Sequence, residues 1–119
     1  MLVVDDDPLV LRMLTRALAA FEVVSTTEPA RALTLLEQPH SFVVVVCDVS
    51  MPGLSGPELC ARIEVTRPGT ANRFLFVTGG AMSPTERDFL NLPHVRWLEK
   101  TVRPAELRRA VESMAQAPS

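Results

Sequence analysis

Five short apolar runs alternate with segments of helical pattern along the chain. The runs are rich in valine, leucine and phenylalanine, and the segments between them place apolar residues on one helical face. Such alternation is typical of a parallel sheet that carries helices on both faces. We therefore predict an open α/β sheet of five βα units, with strands at Leu2–Val4, Val23–Ser25, Phe42–Cys47, Phe74–Thr78 and Val95–Leu98.

Start signals precede three of the helical segments. Asp7 stands before Pro8, and in this arrangement the aspartate caps the helix while proline occupies its first turn. We expect this capping role for Asp7 rather than a role as a metal ligand. Ser55–Glu58 and Ser83–Glu86 have the capping-box form, in which serine and glutamate satisfy each other's exposed backbone donors. Two further helices are predicted near Ala30–Gln38 and Pro104–Met114.

Polar residues stand at the ends of four predicted strands. They are Asp5 and Asp6 after the first strand, Asp48 after the third, Thr78 at the end of the fourth and Lys100 after the fifth. In open parallel sheets, ligands bind beyond the carboxyl ends of the strands. We therefore predict that these five side chains converge at one edge of the sheet and form a site.

Three carboxylates in one site repel each other and need compensation. Oxygen-only ligands favour Mg²⁺, with Mn²⁺ as the alternative, and a divalent cation together with Lys100 would bring the formal charge of the site to zero. Asp48 stands alone on its strand before a Pro-Gly turn. We predict that it is a nucleophile toward phosphorus, with Thr78 as a hydroxyl donor at the same edge.

The bulk properties exclude several kinds of partner. A net charge of −2 offers no general attraction to nucleic acid or anionic lipid, and no apolar stretch reaches the roughly 18 residues that a membrane helix needs. Cys47 and Cys60 are expected to be buried thiols in a cytoplasmic protein rather than a disulfide. The 119 residues are expected to form one domain over residues 1–119.

Four motifs together resemble the receiver domain of the bacterial two-component response regulator family. They are VVDDD at Val3–Asp7, DVSMPGLSG at Asp48–Gly56, VTGG at Val77–Gly80 and WLEK at Trp97–Lys100. The resemblance covers nearly the whole chain. It implies a three-layer, flavodoxin-like sandwich with strand order 2-1-3-4-5. The segment from VTGG to LEK further resembles receivers at the C-terminal end of hybrid sensor histidine kinases.

The resemblance implies a phosphoryl acceptor and a metal site. Asp48 would accept phosphate from the phosphohistidine of a sensor histidine kinase or a histidine phosphotransfer domain. Asp6 would bind Mg²⁺ directly, Asp5 would act mostly through water, and the backbone carbonyl of Ser50 would be a further ligand alongside Asp48. Such a domain catalyses only its own phosphorylation and dephosphorylation and is not otherwise an enzyme.

The resemblance also implies a conformational switch. Thr78 would hydrogen-bond the phosphoryl group and Lys100 would pair with it. Trp97 occupies the place of an aromatic residue that rotates from exposed to buried when the threonine moves inward. The surface that changes is built on the fourth helix and the fifth strand.

The residue after Lys100 departs from the family pattern. The family has proline there, in a cis peptide that aims the lysine, whereas this chain has Thr101. A cis bond before a residue other than proline costs about 2.5–4 kcal/mol. We therefore predict a trans bond or a strained loop, with consequences for where Lys100 lies.

An enzyme is the main alternative interpretation. The sequence Asp5-x-Asp7 after an apolar strand resembles the nucleophile motif of haloacid dehalogenase-type phosphatases, with Thr78 and Lys100 in later roles. Leu9 stands where that motif has threonine or valine, no acidic pair follows Lys100, and no cap insertion is present. This alternative predicts phosphorylation at Asp5 instead of Asp48.

Two further alternatives use the same architecture. A flavodoxin-like cofactor binder would need to hold a flavin phosphate where the three aspartates lie, and their charge argues against it. A degenerate receiver would no longer accept phosphate and would serve only as an interaction module. Because no proline follows Lys100, this alternative stays open.

Overall fold

The computed structural model describes residues 1–39, 42–80 and 82–116. Within these ranges, five parallel strands form one sheet in the order β2-β1-β3-β4-β5, as predicted. The strands are β1 (Leu2–Val4), β2 (Val24–Thr26), β3 (Val45–Asp48), β4 (Phe74–Thr78) and β5 (Arg96–Glu99). The helices are α1 (Pro8–Ala17), α2 (Pro29–Glu37), α3 (Gly56–Thr66), α4 (Pro84–Leu90) and α5 (Pro104–Gln116), and a 3-10 turn at Thr70–Arg73 precedes β4.

Helices cover both faces of the sheet and complete the three-layer sandwich. The side chains of α1 and α5, among them Leu14 and Val111, pack on one face. Those of α2, α3 and α4, among them Leu36 and Ile63, pack on the other. Complete burial of an aliphatic side chain of this size contributes about 1.5–3 kcal/mol. Because both faces are packed, the strand ends are rigid mounts for the residues that they carry.

The third strand lies further along the chain than predicted. It covers Val45–Asp48 instead of Phe42–Cys47, because the neighbouring strand β1 begins at Leu2, which pairs with Val45. At its other end the strand continues to Asp48, because Asp48 pairs with Val77 of β4 and so belongs to the hydrogen-bonded ladder.

The other boundaries differ by smaller amounts. β2 and β5 each lie one residue later than predicted, and α2 begins one residue earlier, at Pro29. α5 continues two residues beyond the predicted end, to Gln116. These shifts leave the order of the elements and the position of each strand end relative to the site intact.

The predicted helix caps are all present. The side chain of Asp7 accepts a hydrogen bond from the backbone N–H of Leu9 at 2.9 Å. Both capping boxes, Ser55–Glu58 on α3 and Ser83–Glu86 on α4, have their two reciprocal hydrogen bonds. Asp7 therefore serves as the cap of α1, as expected.

Among the described residues, no helix combines the length and the apolar character that crossing a bilayer requires.

The cap on α1 can be tested by comparing two substitutions of Asp7. Asp7→Asn keeps a side-chain oxygen that can accept the Leu9 N–H, whereas Asp7→Ala removes it. We expect Asp7→Ala to have a free energy of unfolding about 1 kcal/mol lower than Asp7→Asn, measured by urea denaturation. Because both variants lose the same charge, equal stabilities would contradict the capping role.

Candidate functional site

The predicted polar residues meet at the carboxyl edge of the sheet. Carboxylate oxygens of Asp5, Asp6 and Asp48 all lie within 4.8 Å of one another. A cleft of about 400 Å³ at this edge is lined by residues that include Asp6, Asp48, Ser50, Thr78 and Lys100. The fold thus brings together side chains that stand at or directly after the ends of β1, β3, β4 and β5.

Backbone contacts hold Asp48 in place from several directions. Asp48 pairs with Val77 of β4, and the N–H of Val49 donates to the carbonyl of Val77 at 3.2 Å. Gly56 begins α3 so close to the strand that a Cβ on it would collide with the backbone carbonyl oxygen of Asp48. The N–H of Gly56 donates to the carbonyl of Val49 at 2.9 Å. The side chain of Asp48 therefore projects from a fixed backbone.

Lys100 bridges two of the carboxylates. Its ammonium nitrogen Nζ lies 3.0 Å from Oδ2 of Asp5 and 3.2 Å from Oδ1 of Asp48. All peptide bonds in the described ranges are trans, the bond between Lys100 and Thr101 among them, as predicted. The lysine reaches the site although no proline follows it.

Asp5 lies below the surface of the site and is completely buried. Its Oδ1 accepts a hydrogen bond from the N–H of Asp7 at 2.9 Å, which closes the turn before α1. Its Oδ2 accepts no hydrogen bond of good geometry from the described residues, and the nearby ammonium of Lys100 balances its charge. One oxygen of Asp5 is thus structural, while the other faces the charged centre of the site.

Burial and mutual repulsion change the ionisation of the site. Burial, followed by the charge of Asp5, raises the pKa of Asp48 to about 7. Burial also raises the pKa of Asp5. For Lys100, burial lowers the pKa, but the ion pairs with Asp5 and Asp48 outweigh burial and raise it. The site therefore holds more negative charge than one lysine neutralises.

The donor set fits a hard divalent cation. The clustered side-chain ligands are oxygens, and the buried Oδ2 of Asp5 lies beside the ammonium of Lys100 but accepts no hydrogen bond of good geometry from the described residues. Three aspartates and one lysine leave a formal charge of −2, which Mg²⁺ or Mn²⁺ would cancel. The arrangement is thus suited to binding a metal ion through carboxylates.

Ser50 contacts an element that the sequence did not connect to the site. Its hydroxyl donates to both carboxylate oxygens of Glu86, at 3.0 and 3.1 Å. The same carboxylate accepts the N–H of Ser83 in the capping box of α4. The capping motif was visible in the sequence, but no sequence signal joins residues 36 positions apart. The contact connects the loop after Asp48 to the first turn of α4.

The two residues expected to switch lie around a second, smaller cleft. Thr78 and Trp97 both line a space of about 290 Å³ beside β4 and β5. Thr78 is buried, and its hydroxyl has no hydrogen-bond partner among the described residues. Trp97 is 37% exposed. An aromatic side chain therefore stands at the mouth of a space that reaches the threonine.

Comparison with known sequences finds a similarity that covers most of the chain. A sequence model of the family described as the response regulator receiver domain matches residues 1–112. Over 66 residues, 54% of the chain, the sequence is 36% identical to "Probable histidine kinase 3" of Oryza sativa subsp. japonica. The chain spans only 6% of the length of that relative.

Solved structures share the architecture over nearly the whole chain. A crystal structure described as adenylate cyclase from Rhodopirellula baltica is 29% identical, with a TM-score of 0.80, covering 97% of this chain and 85% of that chain. A response regulator receiver domain protein from Methanospirillum hungatei JF-1 is 23% identical, with a TM-score of 0.78, covering 96% of this chain and 90% of that chain. At 23% identity, the similarity to the Methanospirillum hungatei protein shows a shared fold and nothing further.

The ionisation of Asp48 gives a prediction about stability. Its pKa of about 7 in the folded chain exceeds the ordinary value of 3.8, so folding favours the protonated form. This contribution to stability is fully present below the ordinary pKa and is lost as the pH rises through about 7. In metal-free buffer, the stability advantage of Asp48→Asn over the wild type should therefore grow by about 2 kcal/mol between about pH 5 and about pH 8.

Urea denaturation of the two proteins at several pH values measures this difference. Carboxylates outside the site affect both proteins alike and cancel in the comparison, whereas Asp5 interacts with Asp48 and contributes to the measured difference. Parallel stability profiles for the two proteins would contradict the raised pKa of Asp48.

Proposed function

The chain belongs to the response regulator receiver domain family, and from this premise we propose that Asp48 accepts a phosphoryl group from a phosphohistidine. The family acts in two-component signalling together with histidine kinases. The proposed donor is a sensor histidine kinase or a histidine phosphotransfer domain. The observation that carries the proposal is the buried carboxylate of Asp48 on a rigid strand end, with the ammonium of Lys100 3.2 Å away.

The proposed step is a displacement at phosphorus. A carboxylate oxygen of Asp48 forms a bond to phosphorus while the bond between phosphorus and the donor imidazole nitrogen breaks. The electron pair of the broken bond remains on the imidazole, and the product is an acyl phosphate on Asp48. The attacking carboxylate must be ionised, so the proton that its raised pKa favours has to be displaced first.

Lys100 and Thr78 would act on the transferred group. The ammonium of Lys100 already lies between two carboxylates, so it can pair with a phosphoryl oxygen through a short movement. The hydroxyl of Thr78 is not engaged by the described residues and is free to donate a hydrogen bond to the same group. Both contacts would stabilise the acyl phosphate after transfer.

Asp5, Asp6, Asp48 and the backbone carbonyl of Ser50 would hold Mg²⁺, or Mn²⁺ in its place. Asp6 is exposed beside the cleft and suits direct binding, whereas Asp5 is buried and suits contact through water. When bound, the cation would neutralise charge on the oxygens of the transferring phosphoryl group.

The phosphoryl group would be read out at the surface formed by α4 and β5. A hydrogen bond to the phosphoryl group would draw Thr78 toward Asp48 and enlarge the space that it shares with Trp97. Trp97 could then turn inward from its half-exposed position. The contact between Ser50 and Glu86 gives the loop after Asp48 a second connection to α4.

The chain would change only its own aspartate and would not be an enzyme for an external substrate. The 36% identity with a segment of a histidine kinase supports the interpretation as a receiver within a hybrid sensor kinase. Two buried free thiols, Cys47 and Cys60, support a cytoplasmic location, because reducing compartments keep thiols free.

Mass spectrometry of the intact protein tests the acceptor directly. After incubation with Mg²⁺ and acetyl phosphate, we expect the wild type to gain one phosphoryl group and Asp48→Asn to gain none. Fragmentation of the product should locate the group on Asp48. A group on Asp5 would favour the phosphatase alternative. No gain in either protein, with Mg²⁺ binding confirmed separately, would favour the degenerate receiver.

The fluorescence of Trp97 tests the switch, because the chain has a single tryptophan. Phosphorylation should shift its emission to shorter wavelength as the indole leaves water. Asp48→Asn with the same Mg²⁺ and acetyl phosphate is the control for direct effects of the reagents. An unchanged spectrum in a sample shown by mass to be phosphorylated would rule out the proposed rotation.

A further inference from the structure

We propose that a cavity at the amino edge of the sheet binds a small organic phosphate. The cavity has a volume of about 670 Å³ and is lined by residues that include Arg73, His94 and Arg96. None of the four sequence motifs contains these three residues, and the function proposed for Asp48 does not use them. The cavity is therefore a candidate for a second site with a ligand of its own.

The position of the cavity follows from the parallel sheet. Arg73 directly precedes β4, and Arg96 is the first residue of β5. The carboxyl ends of the same two strands carry Thr78 and lead to Lys100. The five residues of β4 separate the two edges by roughly 16 Å. A small ligand in the cavity would therefore not reach Asp48.

Two guanidinium groups are held in place beside the cavity. Nη1 of Arg73 donates a hydrogen bond to the backbone carbonyl of Phe42 at 3.0 Å. Nη1 of Arg96 donates to the backbone carbonyl of Asn72 at 3.2 Å. A guanidinium has five N–H donors, so each group keeps donors for a ligand. The carbonyl contacts orient both groups in advance of binding without neutralising their charge.

Neither arginine has an acidic partner within the part of the chain that the structure describes. The ion pairs found there are those of Lys100, so no carboxylate of these residues lies within 4.0 Å of either guanidinium. The described residues that line the cavity include no aspartate or glutamate. Arg73 is half-buried, where a charge without a counter-charge is costly. The cavity is thus suited to an anion.

Charge and hydrogen-bonding geometry favour a phosphate monoester among the anions. Such an ester carries close to two negative charges at neutral pH, which the two guanidinium groups would balance. The planar fork of a guanidinium binds phosphate oxygens in pairs. His94 and Asn72 line the same cavity and offer further hydrogen-bonding groups. A carboxylate would leave one of the two positive charges uncompensated.

The rest of the cavity wall is suited to an apolar body. Val43, Pro93 and Met114 are among the residues that line it. Val43 is 48% exposed, although most large apolar side chains of the described residues are buried. The volume lies in the range of small-molecule sites, and a phosphate ion alone would occupy only a small part of it. We therefore assign the cavity to a phosphate group that is attached to an apolar or aromatic body.

An NMR titration with phenyl phosphate tests the site. In metal-free buffer at about pH 7.5 the ester is doubly charged. The backbone amides of Gly69, Asn72 and His94 should shift and saturate, with a Kd of about 1 mM or lower. The amides of Asp48 and Thr78 should stay in place, because the metal-free acceptor site repels phosphate. No saturable shift, or shifts centred on Asp48, would overturn the proposal.

Two substitutions that remove the same charge provide the matched comparison. Arg96→Gln removes a guanidinium from the cavity at an exposed position, where the fold should tolerate the change. Arg109→Gln is the control, because Arg109 does not line the cavity and donates to the carbonyl of Ala105 within α5. Arg96→Gln should raise the Kd for phenyl phosphate about tenfold or more, and Arg109→Gln should stay within about twofold of the wild type. Equal affinities in the two variants would overturn the proposal.

Two simpler anions test the class of ligand. Inorganic phosphate lacks the apolar body, and benzoate carries one negative charge instead of two. Both should bind at least about fivefold more weakly than phenyl phosphate. Inorganic phosphate binding as tightly as phenyl phosphate would overturn the assignment of an organic ligand, and equally tight benzoate would overturn the assignment of a phosphate. Because the titration uses neither Mg²⁺ nor a phosphodonor, its result does not depend on whether Asp48 accepts a phosphoryl group.

Discussion

The structure is organised around the cost of holding three carboxylates together at the edge of a buried sheet. Asp5 is completely buried, Asp48 nearly so, and both have a raised pKa. Lys100 contacts both carboxylates but supplies one positive charge to three negative ones. This imbalance makes the site receptive to a divalent cation, which would also offset the negative charge of an incoming phosphoryl group. A stable charge-balanced site would have no such tendency.

The fold keeps this repulsion from pushing the residues apart. β3 lies in the middle of the sheet between β1 and β4, and helices pack against both of its faces. Asp48 is the last residue of that strand, and Gly56 brings the start of α3 against its backbone. The charged groups therefore cannot relax by moving the backbone. They can change only by binding a proton, a cation or a phosphoryl group.

The site is also connected to the surface through short chains of contacts. The loop after Asp48 reaches α4 through the hydrogen bonds from Ser50 to Glu86. On the other side, Thr78 and Trp97 share a cleft next to β5. Both routes lead to the same part of the molecule, the surface formed by α4 and β5. Short chains of contacts therefore connect Asp48 to the surface formed by α4 and β5.

The sequence by itself determined the five-strand alternation, the helix caps and the residues at the strand ends, because these depend on local pattern and on the rule that parallel strands end at one edge. It did not determine that β3 includes Asp48, because that boundary depends on the pairing of Asp48 with Val77 of β4. It also could not link Ser50 to Glu86, since this pair meets only through the three-dimensional arrangement. Tertiary structure decided both features because each depends on which elements, distant in the chain, lie side by side in the fold.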